Sequence, residues 1–131
     1  MAAFLLDTNI IIDILRGKRD RVTLVRELVA QENSMACCAV TVTEIYAGLR
    51  PQELDKTERL LRHLDYMEIS QEIAKKAGLL KQSWARRGVT LSFPDVMIAA
   101  VAISGNLTLI TGNRKDFPMP ELRLYPLPRL N

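Results

Sequence analysis

The chain has 131 residues, of which 48% are hydrophobic and 25% are charged, and it carries a net charge of +3. This length suits about one domain with its own hydrophobic core, so we expect residues 1–131 to fold as a single domain. The composition is that of a globular protein and excludes long disordered or low-complexity segments.

The sequence contains no segment typical of secretion or of a membrane span. The N-terminus lacks a basic region, and Asp7 and Asp13 interrupt any signal-peptide core. The longest apolar run, 96–103, is much shorter than the about 20 residues that cross a bilayer. We therefore predict a cytoplasmic protein with no membrane partner.

The two cysteines, Cys37 and Cys38, are adjacent within an apolar run. Successive side chains of a strand point to opposite faces, so we expect two free, buried thiols rather than a disulfide. The single histidine, His63, and the absence of a CxxC motif exclude the usual zinc patterns.

The first half of the chain alternates between strand-like and helix-like apolar spacing. In chain order it predicts a strand, two helices, a second strand and two further helices, at 4–6, 10–15, 21–31, 35–40, 41–49 and 51–64. Gly17 is expected to end the first helix.

The second half continues this alternation. It predicts a strand, an amphipathic helix, a buried helix and another strand, at 66–69, 71–87, 96–103 and 107–111. Pro94 suits the first turn of the buried helix, and Gly105 closes it. The proline-rich end, which includes Pro126 and Pro128, leaves room only for a short edge strand near 122–125. The alternation indicates an α/β fold, with three layers and a parallel central sheet.

Four acidic residues stand where apolar runs give way to turns or helix starts: Asp7, Glu44, Asp95 and Asp116. In parallel α/β proteins, the carboxyl ends of strands and the N-termini of the following helices face one crevice. We therefore expect acids that are far apart in sequence to converge there.

Each acid also has a purely structural explanation. Asp7 can cap the helix after it, and Asp95 lies in a first helical turn, where the macrodipole favours a carboxylate. Glu44 stands three residues after Thr41, which is the spacing of a capping box, and Asp116 can be a turn residue.

Convergence of the acids favours metal binding, because gathered carboxylates repel one another unless a cation compensates. Oxygen ligands without His or Cys suit Mg²⁺ or Mn²⁺, which could activate a water for attack on a phosphodiester. Polar neighbours could orient the acids or this water, although turn and cap chemistry also explains them. They are Thr8, Asn9, Thr111 and Asn113.

Basic residues cluster in several places, which suits a nucleic-acid backbone, although a solvated helix face explains such clusters equally well. The candidates for contact with RNA are Arg16, Lys18, Arg19, Arg86, Arg87, Arg114 and Lys115.

Four segments, taken in order over nearly the whole chain, resemble the PIN domain and its VapC-like branch. Their sequences are LLDTN at 5–9, VTEIYAGL at 42–49, PDVMIAAVA at 94–102 and LITGNRKDF at 109–117. The resemblance implies a compact α/β/α domain with a parallel sheet, acting as a Mg²⁺- or Mn²⁺-dependent endoribonuclease.

The resemblance also implies roles for individual residues. Asp7, Glu44 and Asp95 fall on the family's acidic positions. For the fourth acid, family members vary between the positions held here by Asn113 and Asp116. We assign Asp116 and treat Asn113 as a group that orients a ligand or a water. The resemblance to the VapC-like branch further implies that the chain is the toxin of a type II toxin-antitoxin system. Toxins of this branch are similar in forming homodimers and in pairing with a small antitoxin whose C-terminal segment occupies the active-site groove.

Four other functions are alternatives to a ribonuclease toxin. A phosphotransferase with an aspartyl nucleophile needs an acid two positions after Asp7, where Asn9 stands. A receptor-type phosphoacceptor domain fits less well, because no Lys follows a late strand in a Thr-x-Lys context. A solitary RNA-processing PIN nuclease and a non-catalytic PIN domain that binds RNA or protein stay as alternatives.

Overall fold

The central sheet is parallel throughout the described part of the chain. The computed structural model describes residues 1–127, within which the strands are β1 (Ala3–Leu6), β2 (Ser34–Cys38), β3 (Asp65–Met67) and β4 (Thr108–Ile110). They lie in the order β3-β2-β1-β4, and every neighbouring pair is parallel. The predicted parallel sheet is therefore confirmed.

Helices cover both faces of this sheet. In residues 1–127 they are α1 (Thr8–Leu15), α2 (Arg19–Ala30), α3 (Ala39–Ala47), α4 (Leu54–Arg62), α5 (Gln71–Arg86) and α6 (Phe93–Ser104). Short 3-10 turns lie at Pro51–Glu53 and Arg114–Asp116. The three-layer α/β/α arrangement is confirmed. None of the described helices is both long and apolar enough to cross a bilayer.

Side chains of each strand alternate between two cores. Leu5 packs in the core that includes α5 and α6, whereas Phe4 and Leu6 pack in the core formed with α1 and α2. Cys37 and Cys38 are likewise buried in different cores as free thiols, as predicted. Burial on both faces explains why these parallel strands read as continuous apolar runs.

Local signals place the ends of two helices that flank the crevice. Asp7 caps α1, and Gly17 follows that helix with a φ of 73°, a left-handed conformation that glycine adopts without strain. Ser92 caps α6 by accepting a hydrogen bond from the Asp95 N–H at 3.2 Å. Gly105 ends α6, as predicted.

The start of α3 was predicted wrongly. The sequence indicated a strand to residue 40 and a helix from Thr41, but β2 ends at Cys38 and α3 begins at Ala39. Thr41 and Glu44 both lie inside this helix, so the capping-box explanation of Glu44 is wrong. The apolar run contains no breaker, and packing against the two cores, rather than local periodicity, decides where the strand ends.

The remaining boundaries differ more modestly. The helix predicted at 51–64 is a 3-10 turn followed by α4, and β3 begins one residue before the predicted strand at 66–69. The predicted edge strand is reduced to one parallel bridge between Leu109 and Leu124. Pro126 follows closely and cannot donate a ladder hydrogen bond. Pro128 lies outside the described residues.

Candidate active site

The crevice forms where the strand order reverses. From β1 the chain passes to β2 on one side, and it returns much later to β4 on the other side. Such a reversal opens a crevice at the carboxyl ends of the strands. Asp7 follows β1 directly, Thr111 follows β4, and the Asp7 N–H donates to the Ile110 carbonyl at 3.0 Å. The first predicted acid therefore stands at the mouth of the crevice.

Asp7 is only 5% exposed, and protein donors occupy both of its carboxylate oxygens. Its Oδ1 accepts from the Thr8 N–H at 2.8 Å. Its Oδ2 accepts from Asn9 Nδ2 at 3.0 Å and from Thr111 Oγ1 at 2.7 Å. Three of the four predicted polar neighbours thus contact this acid directly, and hydrogen bonds to a charged group fix its orientation strongly.

One further hydrogen bond ties the loop after β4 to α1, and another forms within the loop itself. The Gly112 N–H donates to Asn9 Oδ1 at 3.0 Å, and the Asn113 N–H donates to Thr111 Oγ1 at 3.0 Å. The 3-10 turn that contains Asp116 begins at the next residue. These bonds hold the segment that carries the fourth acid beside the segment that carries the first.

Glu44 reaches the same region from α3. Its Oε1 accepts a hydrogen bond from Thr8 Oγ1 at 2.7 Å. Thr8 therefore bridges two acids, because its backbone N–H contacts Asp7 while its hydroxyl contacts Glu44. The sequence predicted Thr8 as a polar neighbour of the acids but gave no signal for this bridge, since Thr8 and Glu44 are 36 residues apart.

The pKa of Asp95 reflects the other three acids. Burial raises the pKa of the Asp95 carboxyl, and the carboxylates of Asp116, Asp7 and Glu44 raise it further. A hydrogen bond with Ser92 opposes these effects and lowers the pKa in part. Like charges disfavour ionisation only over short distances. Asp7, Glu44 and Asp116, which come from three separate segments, therefore all lie within electrostatic range of Asp95.

The chemistry of this donor set fits a hard divalent cation. Within residues 1–127, no three Asp, Glu, His or Cys side chains lie close enough to hold one ion in their present positions. The converging groups are nevertheless carboxylates alone, which Mg²⁺ and Mn²⁺ prefer. A cation would relieve the repulsion that, in addition to burial, raises the pKa of Asp95. The residues that could hold it are Asp7, Glu44, Asp95 and Asp116.

Some predicted basic residues lie beside the acids and others lie further away. Arg114 and Lys115 share the 3-10 turn of Asp116, and Arg16 lines a groove together with Glu44. Lys18 instead forms an ion pair with Asp13 at 3.2 Å, at the junction of α1 and α2.

The other basic candidates lie at helix ends. Arg19 begins α2, Arg86 ends α5, and the Arg87 guanidinium stacks over the Trp84 ring at 4.0 Å. Stacking of this kind leaves the guanidinium charge available to an anion while fixing its position.

Comparison with known proteins identifies the family of this chain. The pattern of the PIN domain matches residues 4–119. The chain belongs to the PIN domain family. This PIN domain is 31% identical over 120 residues to ribonuclease VapC19 of Mycobacterium tuberculosis, and the alignment covers 91% of this chain and 96% of that protein.

Solved structures agree with this assignment. The PIN domain matches VapBC2 of Rickettsia felis, bound to a DNA fragment from their promoter, with a TM-score of 0.84 and 27% identity. The match covers 94% of this chain and 97% of the other. A toxin-antitoxin complex from Klebsiella pneumoniae gives a TM-score of 0.74 and 32% identity, covering 91% of this chain and 94% of the other. The predicted VapC-like branch is confirmed.

Proposed function

We propose that this PIN domain is a divalent-metal-dependent endoribonuclease and the toxin of a toxin-antitoxin pair. The observation that carries the proposal is the approach of Asp116, Asp7 and Glu44 to Asp95, whose pKa is raised by burial and then further by these three charges. The relatives support it, because one is named a ribonuclease and another is a toxin-antitoxin complex. The whole activity would belong to one domain acting in the cytoplasm, where its RNA substrate is found.

When bound, Mg²⁺ or Mn²⁺ would supply positive charge against the phosphodiester and lower the pKa of a water. Asp7 contributes a carboxylate that needs no reorganisation, because three hydrogen bonds already orient it. Glu44 contributes a second carboxylate, which Thr8 holds toward the first. Asp95 adds a third from the first turn of α6, where the helix dipole favours negative charge.

For the fourth carboxylate we propose Asp116 rather than Asn113. Among the neighbouring charges that raise the pKa of Asp95, that of Asp116 is the largest contributor. The backbone of Asn113 already bonds to Thr111, which leaves its side chain to orient a ligand or a water. Asn9 and Thr111 act as positioning residues, since both donate to Asp7.

Basic residues around the crevice would hold the RNA backbone. Arg16 beside Glu44, and Arg114 with Lys115 beside Asp116, are placed to contact phosphates near the acids. Phosphate contacts supply affinity and position without reading sequence. The complete proposed set is Arg16, Lys18, Arg19, Arg86, Arg87, Arg114 and Lys115.

We further propose a small antitoxin as protein partner, together with a homodimer of the toxin. A groove of about 270 Å³ adjoins Glu44 between α1, α3 and the start of α4. Its lining combines apolar side chains such as Ile12 and Leu49 with the charged Arg16 and Arg50. An amphipathic peptide segment would satisfy both kinds of surface. Occupation of this groove would block the approach of RNA to Glu44.

Cleavage of single-stranded RNA by the purified chain tests the catalytic proposal. We expect activity with Mg²⁺ or Mn²⁺, loss of activity in EDTA, and a fall of at least about 100-fold for Asp7→Asn, since even groups that only support a metal ligand contribute about 10- to 100-fold. Asp55→Asn, in the first turn of α4, is the matched control and should cleave normally. Undiminished cleavage in EDTA, or by Asp7→Asn, would refute the metallonuclease.

Growth of cells that express the chain separates the toxin from its alternatives. We expect growth arrest with the wild-type chain and normal growth with Asp7→Asn. Normal growth with a chain that cleaves RNA in vitro would indicate a solitary RNA-processing nuclease. Binding of RNA without cleavage would indicate a non-catalytic domain.

A further inference from the structure

An exposed aromatic ring stands beside the acids but takes no part in the site described above. Phe93 is the first residue of α6 and is 64% exposed. It precedes Asp95 by two residues, which corresponds to roughly 3 Å of helix rise. A single exposed apolar residue is ordinary on a protein surface. This ring, however, is held in place by a cation from a neighbouring helix.

Lys81 of α5 supports the ring from one side. Its Nζ lies over the Phe93 ring, 4.9 Å from the centroid, and also donates to the Leu91 carbonyl. The hydrogen bond fixes the ammonium, and the attraction between the cation and the π electrons fixes the ring against it. Because the residue is 64% exposed with Lys81 over one face, the opposite face is open to a ligand.

The surroundings of the ring favour a nucleic acid over an apolar partner. Arg86 and Arg87 lie at the end of α5, which packs along α6. Arg87 is itself stacked on Trp84, so α5 contributes the cations of two cation–aromatic pairs, one of which uses the Phe93 ring at the start of α6. Alternation of fixed cations and aromatic rings is the arrangement that binds single strands, because cations hold phosphates and rings hold bases.

We propose that Phe93 is a stacking platform for one base of the RNA substrate, next to the phosphate that is cleaved. The inference rests on the proposed ribonuclease function and adds to it a residue that positions an unpaired base of the substrate. A base inside a duplex presents no free face, whereas an unpaired base can stack on an aromatic ring. Stacking on Phe93 would hold the adjoining phosphate beside Asp95. It would be tolerant of base identity, since every base has a π face.

Substitutions at Phe93 separate stacking from a structural role. Phe93→Ala should raise KM for a short single-stranded RNA by about 5- to 150-fold with kcat unchanged, which is the range for loss of one stacked base. Phe93→Trp should restore the wild-type KM, and Phe93→Leu, which is apolar but not aromatic, should not. Leu79→Ala is the matched control, because Leu79 is similarly exposed, at 62%, on α5. Its KM should equal that of the wild type.

A spectroscopic measurement reports the stacking itself. RNAs with 2-aminopurine at successive positions are bound to Asp7→Asn, which should not cleave them, and fluorescence is read at each position. We expect quenching at one position, and its relief when Phe93→Ala is added. Melting temperatures of the Phe93 variants should match the wild type, since the side chain is exposed.

The outcomes distinguish the platform from the function on which it rests. An unchanged KM in Phe93→Ala, an equal rise in Leu79→Ala, or full rescue by Phe93→Leu would overturn the stacking platform while wild-type cleavage stands. Cleavage of duplex RNA as efficient as that of single strands would also overturn the platform, because a paired base presents no free face to Phe93. Absence of metal-dependent cleavage by the wild-type chain would overturn both proposals together.

Discussion

Replacing Thr111 with valine removes the hydroxyl that holds Asp7 while keeping the shape of the side chain. Thr111 is 1% exposed, and its Oγ1 donates to Asp7 Oδ2 at 2.7 Å and accepts from the Asn113 N–H at 3.0 Å. A hydrogen bond to a charged group contributes about 1.5 to 3 kcal/mol, and the unpaired N–H adds a smaller penalty. We expect Thr111→Val to lower the free energy of unfolding by about 2 to 4 kcal/mol.

Thr41 supplies the matched control for this substitution. It is equally buried, at 0% exposed, and within residues 1–127 its Oγ1 has no oxygen or nitrogen partner, although the hydroxyl contacts the Cys38 thiol, which is a weak hydrogen-bonding group. Valine at this position removes a polar atom whose desolvation is compensated by no more than this weak contact with Cys38. Thr41→Val should therefore leave the free energy of unfolding unchanged or raise it by up to about 1 kcal/mol.

Urea unfolding followed by circular dichroism measures both effects, and RNA cleavage measures their functional consequence. For a chain of this length we expect Thr111→Val to lower the melting temperature by about 6 to 16 °C. Its kcat/KM should fall about 10- to 100-fold, because Asp7 loses a supporting donor. Equal effects of the two valine substitutions would refute the reasoning. Additivity would refute it as well. If Asp7→Asn and Thr111→Val change the free energy of unfolding independently, the double variant will show the sum of the two changes to within about 0.5 kcal/mol.

Three further predictions concern the other acids. In EDTA at pH 7, Asp95→Asn should raise the melting temperature, because the raised pKa of Asp95 means that its charged form opposes folding. This gain in melting temperature should shrink as pH falls through the raised pKa and disappear below the ordinary value of 3.8, because the carboxyl is then neutral in both the folded and the unfolded chain. A gain that does not depend on pH would contradict this prediction. Glu44→Gln should lower cleavage by at least about 100-fold with little change in melting temperature, since glutamine still accepts the hydrogen bond from Thr8. Thr8→Val, which removes that bond, should lower cleavage about 10- to 100-fold. Wild-type cleavage by Glu44→Gln would remove Glu44 from the site. Asp116→Asn should also lose at least about 100-fold in cleavage, while Asn113→Ala should stay within about tenfold of the wild type, and the reverse order would assign the fourth role to Asn113.

The buried helix α6 shows how far local sequence signals reach. Pro94 in its first turn, an apolar surface on all sides and Gly105 at its end predict a central helix, and α6 spans Phe93–Ser104. The alternation of such segments also predicts the parallel sheet. These features follow from periodicity and backbone constraints that act within a few residues.

The boundary between β2 and α3 shows where these signals stop. Residues 35–40 are apolar without a break, so periodicity cannot divide them, and the division at Cys38 is decided by contacts with both cores. The same limit applies to the site. That acids would converge follows from their places at strand ends, but the bridge from Thr8 to Glu44 and the bond from Thr111 to Asp7 join residues 36 and 104 positions apart. Only the packed fold decides such pairs.

The bond between Thr111 and Asp7 also has a consequence for timing. It joins the residue after the first strand to the residue after the last strand described. That last strand, β4, has three residues and pairs with β1 alone among the described strands. During synthesis, Asp7 leaves the ribosome long before Thr111 and Asp116 do. A nascent chain therefore carries acids that have not yet met, and the crevice closes only when β4 docks. The complete set of acids is therefore assembled only after β4 has been synthesised and has docked on β1.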